Sequence, residues 1–238
     1  MRLHDIVRPL RQLLFPASCP VCGKMLTASE HFVCIHCHLS APFTNLWQSR
    51  ENLMEQRFWG QVPIERAAAF LWFIEGSRWQ ELIHNFKHHS HWYYAENIGQ
   101  WLATELSQSD FFDGIDLILP VPLHWKRQLH RGYNQAEHLA AGISRQSGIP
   151  LCFNAVRRRK NNPPQAQMRY TDRWDNTDSL FEVTHPEELL GKHILLIDDV
   201  FTTGATLISL AQTIRKCCND NVRISVSTLS ASRHLMNM

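Results

Sequence analysis

From residue 67 onward, short apolar runs alternate with stretches in which apolar positions recur every three to four residues. The runs at 67–74, 116–119, 151–155, 193–197 and 222–229 have the length and composition of strands. Segments 77–86, 94–107, 134–146 and 206–218 carry helical spacing. Pro120 and Pro122 stop the second strand, and Gly148 ends the third helix. Strands alternating with helices need crossover connections, so the pattern predicts an α/β fold: a mostly parallel sheet flanked by helices on both faces. Such a sheet binds ligands in the loops at the carboxyl ends of its strands. Attention therefore falls on the residues after 197, 119 and 155.

The first 60 residues read differently. Leu3, Ile6, Val7, Leu10, Leu13 and Leu14 lie near one face of a helix, which is expected to be packing surface. Arg8 and Arg11 interrupt what would otherwise resemble the apolar region of a signal peptide. A cysteine- and histidine-rich stretch follows, and then a polar segment with scattered aromatics, 41–61, that reads as a linker. Two parts are expected: 1–60, a helix, a cysteine module and a linker, and 61–238, the α/β domain. No run of 18 apolar residues occurs, so no membrane insertion is expected. A formal net charge of +2 does not mark the whole molecule as a nucleic-acid binder, which leaves local patches to be judged one by one.

Four of the seven cysteines stand in two C-x-x-C pairs, Cys19 with Cys22 and Cys34 with Cys37, eleven residues apart. An odd total with this pairing argues for metal in a reducing compartment, hence the cytoplasm, over a disulfide framework. Two short turns can present four thiolates to one ion at about 2.3 Å, so a structural Zn2+ is expected, with iron as the alternative. A closed four-sulfur site leaves no position for water, which points to folding and partner contact and away from catalysis. His31, His36 and His38 are then surplus, and Cys152, Cys217 and Cys218 read as packing residues.

The run ILLIDDVFTTGATL joins a buried strand, two adjacent acids and a turn that opens a helix. Gly204 can take positive φ and let the backbone approach an anion, while Thr202, Thr203 and Thr206 add hydroxyl donors. Asp198 and Asp199 are acceptors only: they suit a pair of sugar hydroxyls, not a phosphate. One ligand satisfies the whole run, a sugar phosphate. The order of these residues resembles the signature of type I phosphoribosyltransferases. That resemblance implies phosphoribosyl pyrophosphate (PRPP) as ligand, with Mg2+, with Asp198 and Asp199 on the ribose 2′ and 3′ hydroxyls. Val200, Phe201, Thr202, Thr203, Gly204, Ala205 and Thr206 would then cradle the 5′-phosphate.

After the 116–119 strand comes PVPLHWKRQLHRGYNQA, where the backbone around Val121 and the side chains of Arg127 and Arg131, with Lys87 from earlier in the chain, could meet a pyrophosphate. The third loop carries Arg157, Arg158, Arg159 and Lys160, then Arg169 and Arg173 with Tyr170 and Trp174. This basic stretch suits either a lid closing over pyrophosphate or a track for single-stranded DNA with stacking faces. The cysteine pairs, Lys87, the PVPLH to GYNQA run, Pro164 with Gln165 and the acidic motif together resemble the ComF/GntX family. Asn161, Asn162 and Pro163 depart from that family's pattern before the Pro-Gln pair. The resemblance implies a role in competence and in the use of DNA as a nutrient, with PRPP or a related sugar phosphate as ligand and phosphoribosyl transfer as the reaction. It leaves open a non-catalytic role, in nucleotide sensing or in docking single-stranded DNA or DNA-processing proteins.

Overall fold

The computed structural model describes residues 17–85, 92–124, 132–159 and 180–235. Lys87, Arg127, Arg131 and Lys160, all singled out above, lie outside the described residues, as does the 1–14 helix. In chain order the elements are α1 (Ile35–Leu39), α2 (Leu53–Gln56), β1 (Ala67–Phe73), α3 (Arg78–Asn85), α4 (Trp92–Leu106), β2 (Leu117–Pro120), α5 (Gln135–Ser147), β3 (Val156–Arg158), β4 (Phe181–Val183), β5 (His193–Phe201), α6 (Ala205–Cys217) and β6 (Arg223–Ser232).

Four strands form one parallel sheet in the order β1-β6-β5-β2. The expected α/β class is therefore what the chain adopts. Two-sided burial explains why β5 opens on the continuous apolar run Ile194 to Ile197, all fully buried. The last strand in sequence is a central one: β6 pairs with β1 on one side and β5 on the other. Its Ser225, Ser227, Thr228 and Ser230 are wholly buried, small side chains that let flanking layers come close.

Both edges of the sheet are covered. Phe43 bridges Leu71 antiparallel at the β1 edge, and Leu151 bridges Ile118 in parallel at the β2 edge. The strand expected at 151–155 reduces to that one bridge. The chain pairs next at Val156, in an antiparallel two-stranded sheet of β3 with β4.

The segment 41–61, expected as a linker, is packed. Trp47, Met54 and Phe58 are buried, and Asn52 caps α2 by accepting from the Met54 and Glu55 N–H groups at 2.9 and 3.1 Å. The Asn52 amide also donates to Leu46 O and Ala67 O, at 3.0 and 2.9 Å. Buried Arg66 completes the bracket: Nε meets Glu55 at 3.3 Å, Nη2 donates to Trp47 O at 2.8 Å and Nη1 reaches Asp110 at 2.6 Å. Irregularly spaced aromatics gave this segment no sequence period, yet its polar groups satisfy one another where it crosses the start of β1. The buried apolar cluster runs without a break from Cys19 to Leu235. No helix among the described residues is long and apolar enough to cross a membrane.

Candidate functional site: an acid-threonine turn and a four-cysteine cluster

β5 continues past its apolar run. Its pairing with β6 persists at Asp198 with Thr228, Val200 with Ser230 and Phe201 with Ala231, so both acids stand on the strand and not in the loop after it. That placement fixes their backbones by the ladder. Asp198 Oδ1 accepts the Asp199 N–H at 2.9 Å. Burial, reinforced by the neighbouring Asp199 carboxylate, pushes Asp198 well above the usual carboxylate range, while the Asp199 N–H and the charge of Arg158 pull it down. Both acids keep part of their surface exposed.

The turn behind them has the features an anion needs. Gly204 is the N-cap residue of α6, at φ 77°, and no side chain caps the helix. A Cβ at Gly204 would stand 2.8 Å from Phe201 Cζ, so two independent demands, positive φ and close approach, select glycine here. Phe201 is buried beneath the turn, its ring 5.9 Å from that of Phe58. It supports the turn from below. Thr202 and Thr203 are exposed, and Thr203 Oγ1 accepts weakly from Ala205 N–H at 3.4 Å.

The loop after β2 is only partly as expected. Val121 is buried, and its N–H donates to Ile197 O at 2.8 Å, extending the β2–β5 ladder. That N–H is therefore committed to the sheet and is not a pyrophosphate donor. Asn134, within the GYNQA run, is a cap: Oδ1 accepts from Ala136 N–H at 3.1 Å, and Nδ2 donates to Val121 O at 3.1 Å and Glu137 Oε1 at 3.0 Å. Part of what makes this run distinctive is thus helix capping.

The basic run starts on a strand. Arg157 Nε and Arg159 Nε lie 2.8 and 3.3 Å from Glu182 Oε2, whereas the Arg158 guanidinium stands over the Phe181 ring, 5.5 Å from its centroid. Sequence reading treated these three as one group; the strand's alternation, invisible in a run of like charges, separates them.

Cys19, Cys22, Cys34 and Cys37 converge, their sulfurs all within 4.8 Å of one another and those of Cys22 and Cys34 3.6 Å apart. A tetrahedral ion with ~2.3 Å sulfur arms has edges of about 3.8 Å, so the four thiols fit one metal ion. The first pair sits in a tight hairpin: Ser18 bridges Met25, Gly23 N–H donates to Cys19 O at 2.8 Å, and Gly23 takes φ 75°. The second pair opens α1, with Cys34 as its N-cap residue and Cys37 buried in its first turn. The Lys24 backbone N–H draws the Cys22 thiol down to about 7, and burial pushes the Cys37 thiol well up. His38 faces away from this cluster, 3.7 Å from Glu105, and Phe32 and His38 pack at 6.5 and 5.6 Å from the Trp101 ring of α4.

Parts of this chain are similar to known proteins. The family described as "Phosphoribosyl transferase domain" matches residues 129–235, which hold the acid-threonine turn. Competence protein F of Haemophilus influenzae is 36% identical over 110 residues, 46% of this chain and 48% of that protein. Competence protein ComFC of Bacillus subtilis is 38% identical over 91 residues, 38% of this chain and 35% of the relative. DNA utilization protein YhgH of Escherichia coli is 28% identical over 198 residues, 82% of each chain. The first two matches thus span about half and about a third of the relatives' own lengths. A parallel sheet with a phosphoribosyltransferase-type turn, four clustered N-terminal cysteines and these relatives together support the ComF/GntX family.

Proposed function

We propose that this protein binds PRPP, or a closely related sugar phosphate, at the carboxyl end of β5, and that this site serves the use of DNA as a nutrient. One observation carries the reading. A strand-anchored pair of carboxylates adjoins a helix N-terminus that has a glycine cap, no side-chain cap and threonine hydroxyls alongside. The 5′-phosphate suits the N–H groups of residues 203–206 together with the Thr202 and Thr203 hydroxyls. Asp198 and Asp199, being acceptors, suit the ribose 2′ and 3′ hydroxyls. When bound, Mg2+ would neutralise the diphosphate and sit against the carboxylates. In phosphoribosyl transfer a nucleophile forms its bond to C1′ as the bond from C1′ to the diphosphate oxygen breaks, the electron pair leaving with diphosphate. The acid pair stabilises the positive charge that develops at the sugar. The cysteine cluster is the structural part of the proposal: a closed Zn2+ site that folds the N-terminal hairpin and α1. Involvement in DNA utilisation is supported by the names of the relatives.

The test is calorimetric binding of PRPP with and without Mg2+ to the wild type and to the Asp198→Asn/Asp199→Asn variant. Asn keeps size and much of the hydrogen bonding while removing charge, so a normally folded variant that loses Mg2+-dependent binding supports the proposal. Equal binding by both proteins rejects it. Cells carrying only the variant should also fail to grow on DNA as sole carbon source.

A further inference from the structure

A cavity of about 560 Å3 opens between the cysteine module and α4, a size within the usual range for ligand sites. One wall is the stretch 29–35, which joins the two cysteine pairs and so takes its course from them. The other is a face of α4 that carries Gln100, Trp101 and Glu105. None of its described lining belongs to the acid-threonine turn.

Two kinds of surface meet in this cavity. The rings of Phe32 and Trp101, 6.5 Å apart and both partly open to solvent, supply flat apolar area. Glu30 and Glu105 supply negative charge, one from each wall. The Thr27 and Ile35 N–H groups donate to Glu30 at 2.8 and 2.6 Å, which holds its carboxyl below the usual carboxylate range and keeps it charged. Glu105 Oε1 accepts from Trp101 Nε1 at 3.1 Å, which fixes a carboxylate beside the indole. The described lining holds no lysine or arginine to balance the two acids; its basic groups are the imidazoles of His31 and His38. His38 shows what the place accommodates: its ring packs 5.6 Å from that of Trp101, with Nε2 3.7 Å from Glu105.

We propose that this cavity is a docking site for an arginine-bearing segment of a partner protein. A guanidinium stacks on aromatic rings and turns its N–H groups to carboxylates in the same plane, so it matches rings and acids set side by side better than a compact ammonium does. The carboxamides of Gln100 and Gln146, which also line the cavity, decide between a peptide and a free polyamine. Each carboxamide both donates and accepts. A polyamine offers only donors and leaves the amide N–H groups unanswered, whereas a peptide backbone brings carbonyls as well. Phosphate-bearing ligands, nucleic acid included, meet two carboxylates here and are repelled.

The probe is the capped pentapeptide Ala-Ala-Arg-Ala-Ala, titrated into the full chain purified under reducing conditions. The indole N–H resonance of Trp101, identified through Trp101→Phe, reports the site by nuclear magnetic resonance. It should shift and saturate with a dissociation constant of ~1 mM or tighter. Citrulline in place of arginine keeps the shape without the charge and should bind roughly tenfold more weakly. Glu105→Gln should weaken the arginine peptide to a similar extent, since its side-chain oxygen can still accept from Trp101 Nε1 while the charge is gone. No saturable shift up to ~10 mM peptide overturns the proposal. Equal binding of the arginine and citrulline peptides overturns it too, as does undiminished affinity in Glu105→Gln. Spermidine that binds as tightly as the peptide overturns the peptide occupant, and a single-stranded oligonucleotide that does so overturns the preference for a cation. Should Glu105→Gln fail to fold, Gln100→Lys replaces it: a fixed positive charge on the same face of α4 should lower affinity for the arginine peptide tenfold or more, by about the worth of one charge-assisted contact, and unchanged affinity would overturn the assignment.

Discussion

Gly99 of α4 and Gly142 of α5 face one another where the two helices cross, backbone against backbone. A Cβ on Gly99 would lie 2.2 Å from Leu139 O, and one on Gly142 would lie 2.0 Å from Glu96 O. No flexible side-chain end is available to yield at either point, so the helices themselves would have to part. Gly142→Ala should destabilise the protein by about 2–3 kcal/mol despite alanine's better helix propensity. Urea unfolding monitored by far-ultraviolet circular dichroism measures this. A midpoint equal to or above the wild type's would show that the crossing is looser than described.

The cysteine cluster predicts one zinc per chain in protein purified under reducing conditions. Cys34→Ser removes a sulfur ligand at the N-cap position of α1, where Ser is itself a good cap, and should abolish stoichiometric metal. Because Phe32 and His38 pack on Trp101, the consequence should reach α4: hydrogen exchange around Trp101 should rise in the variant while β5 and β6 stay protected. Elemental analysis of the wild type that finds no stoichiometric metal would reject the zinc assignment. Iron in place of zinc would keep the site and change its ion.

His193 at the start of β5 predicts a specific pH dependence. Its Nε2 is 2.8 Å from Ser225 Oγ and its Nδ1 3.1 Å from Gly114 O, in a buried setting. Burial first, and the nearby Arg223 charge second, lower its titration below the usual 6.5, against the pull of the Gly114 carbonyl. The fold thus prefers the neutral ring. Its contribution to stability is complete above the unfolded value of 6.5 and is lost as pH falls through the lower folded value. His193→Gln should flatten the decline in unfolding free energy below pH 6.5 relative to the wild type. Parallel curves for the two proteins would show that another histidine governs this range.

Much of the acid-threonine turn could be read from the sequence. Asp198 to Thr206 combine rare local demands: a strand carrying two adjacent acids, a residue that must take φ 77°, and threonines at a helix start. Each demand is met within a few residues, and short-range chemistry leaves its mark on residue type. The cysteine quartet was legible for the same reason, since two x-x spacers already set the angles within each pair. The parallel α/β class followed from alternating periods, which are also local.

Only the tertiary structure decided the rest, because the relevant partners are far apart in sequence. The position of β6 at the centre of the sheet depends on β1 and β5 on its two sides, and its string of buried serines has no period that announces this. The 41–61 segment resembles a linker until Arg66, Glu55, Asn52 and Asp110 are brought together and satisfy one another's hydrogen bonds. Val121 looked available until β5 arrived to take its N–H. Arg157, Arg158 and Arg159 are equivalent as letters. Pairing of β3 with β4, across more than twenty residues of chain, turns two of them to a surface carboxylate and the third to a buried ring. Sequence determined which groups the chain can offer; long-range pairing determined which of them remain available to a ligand.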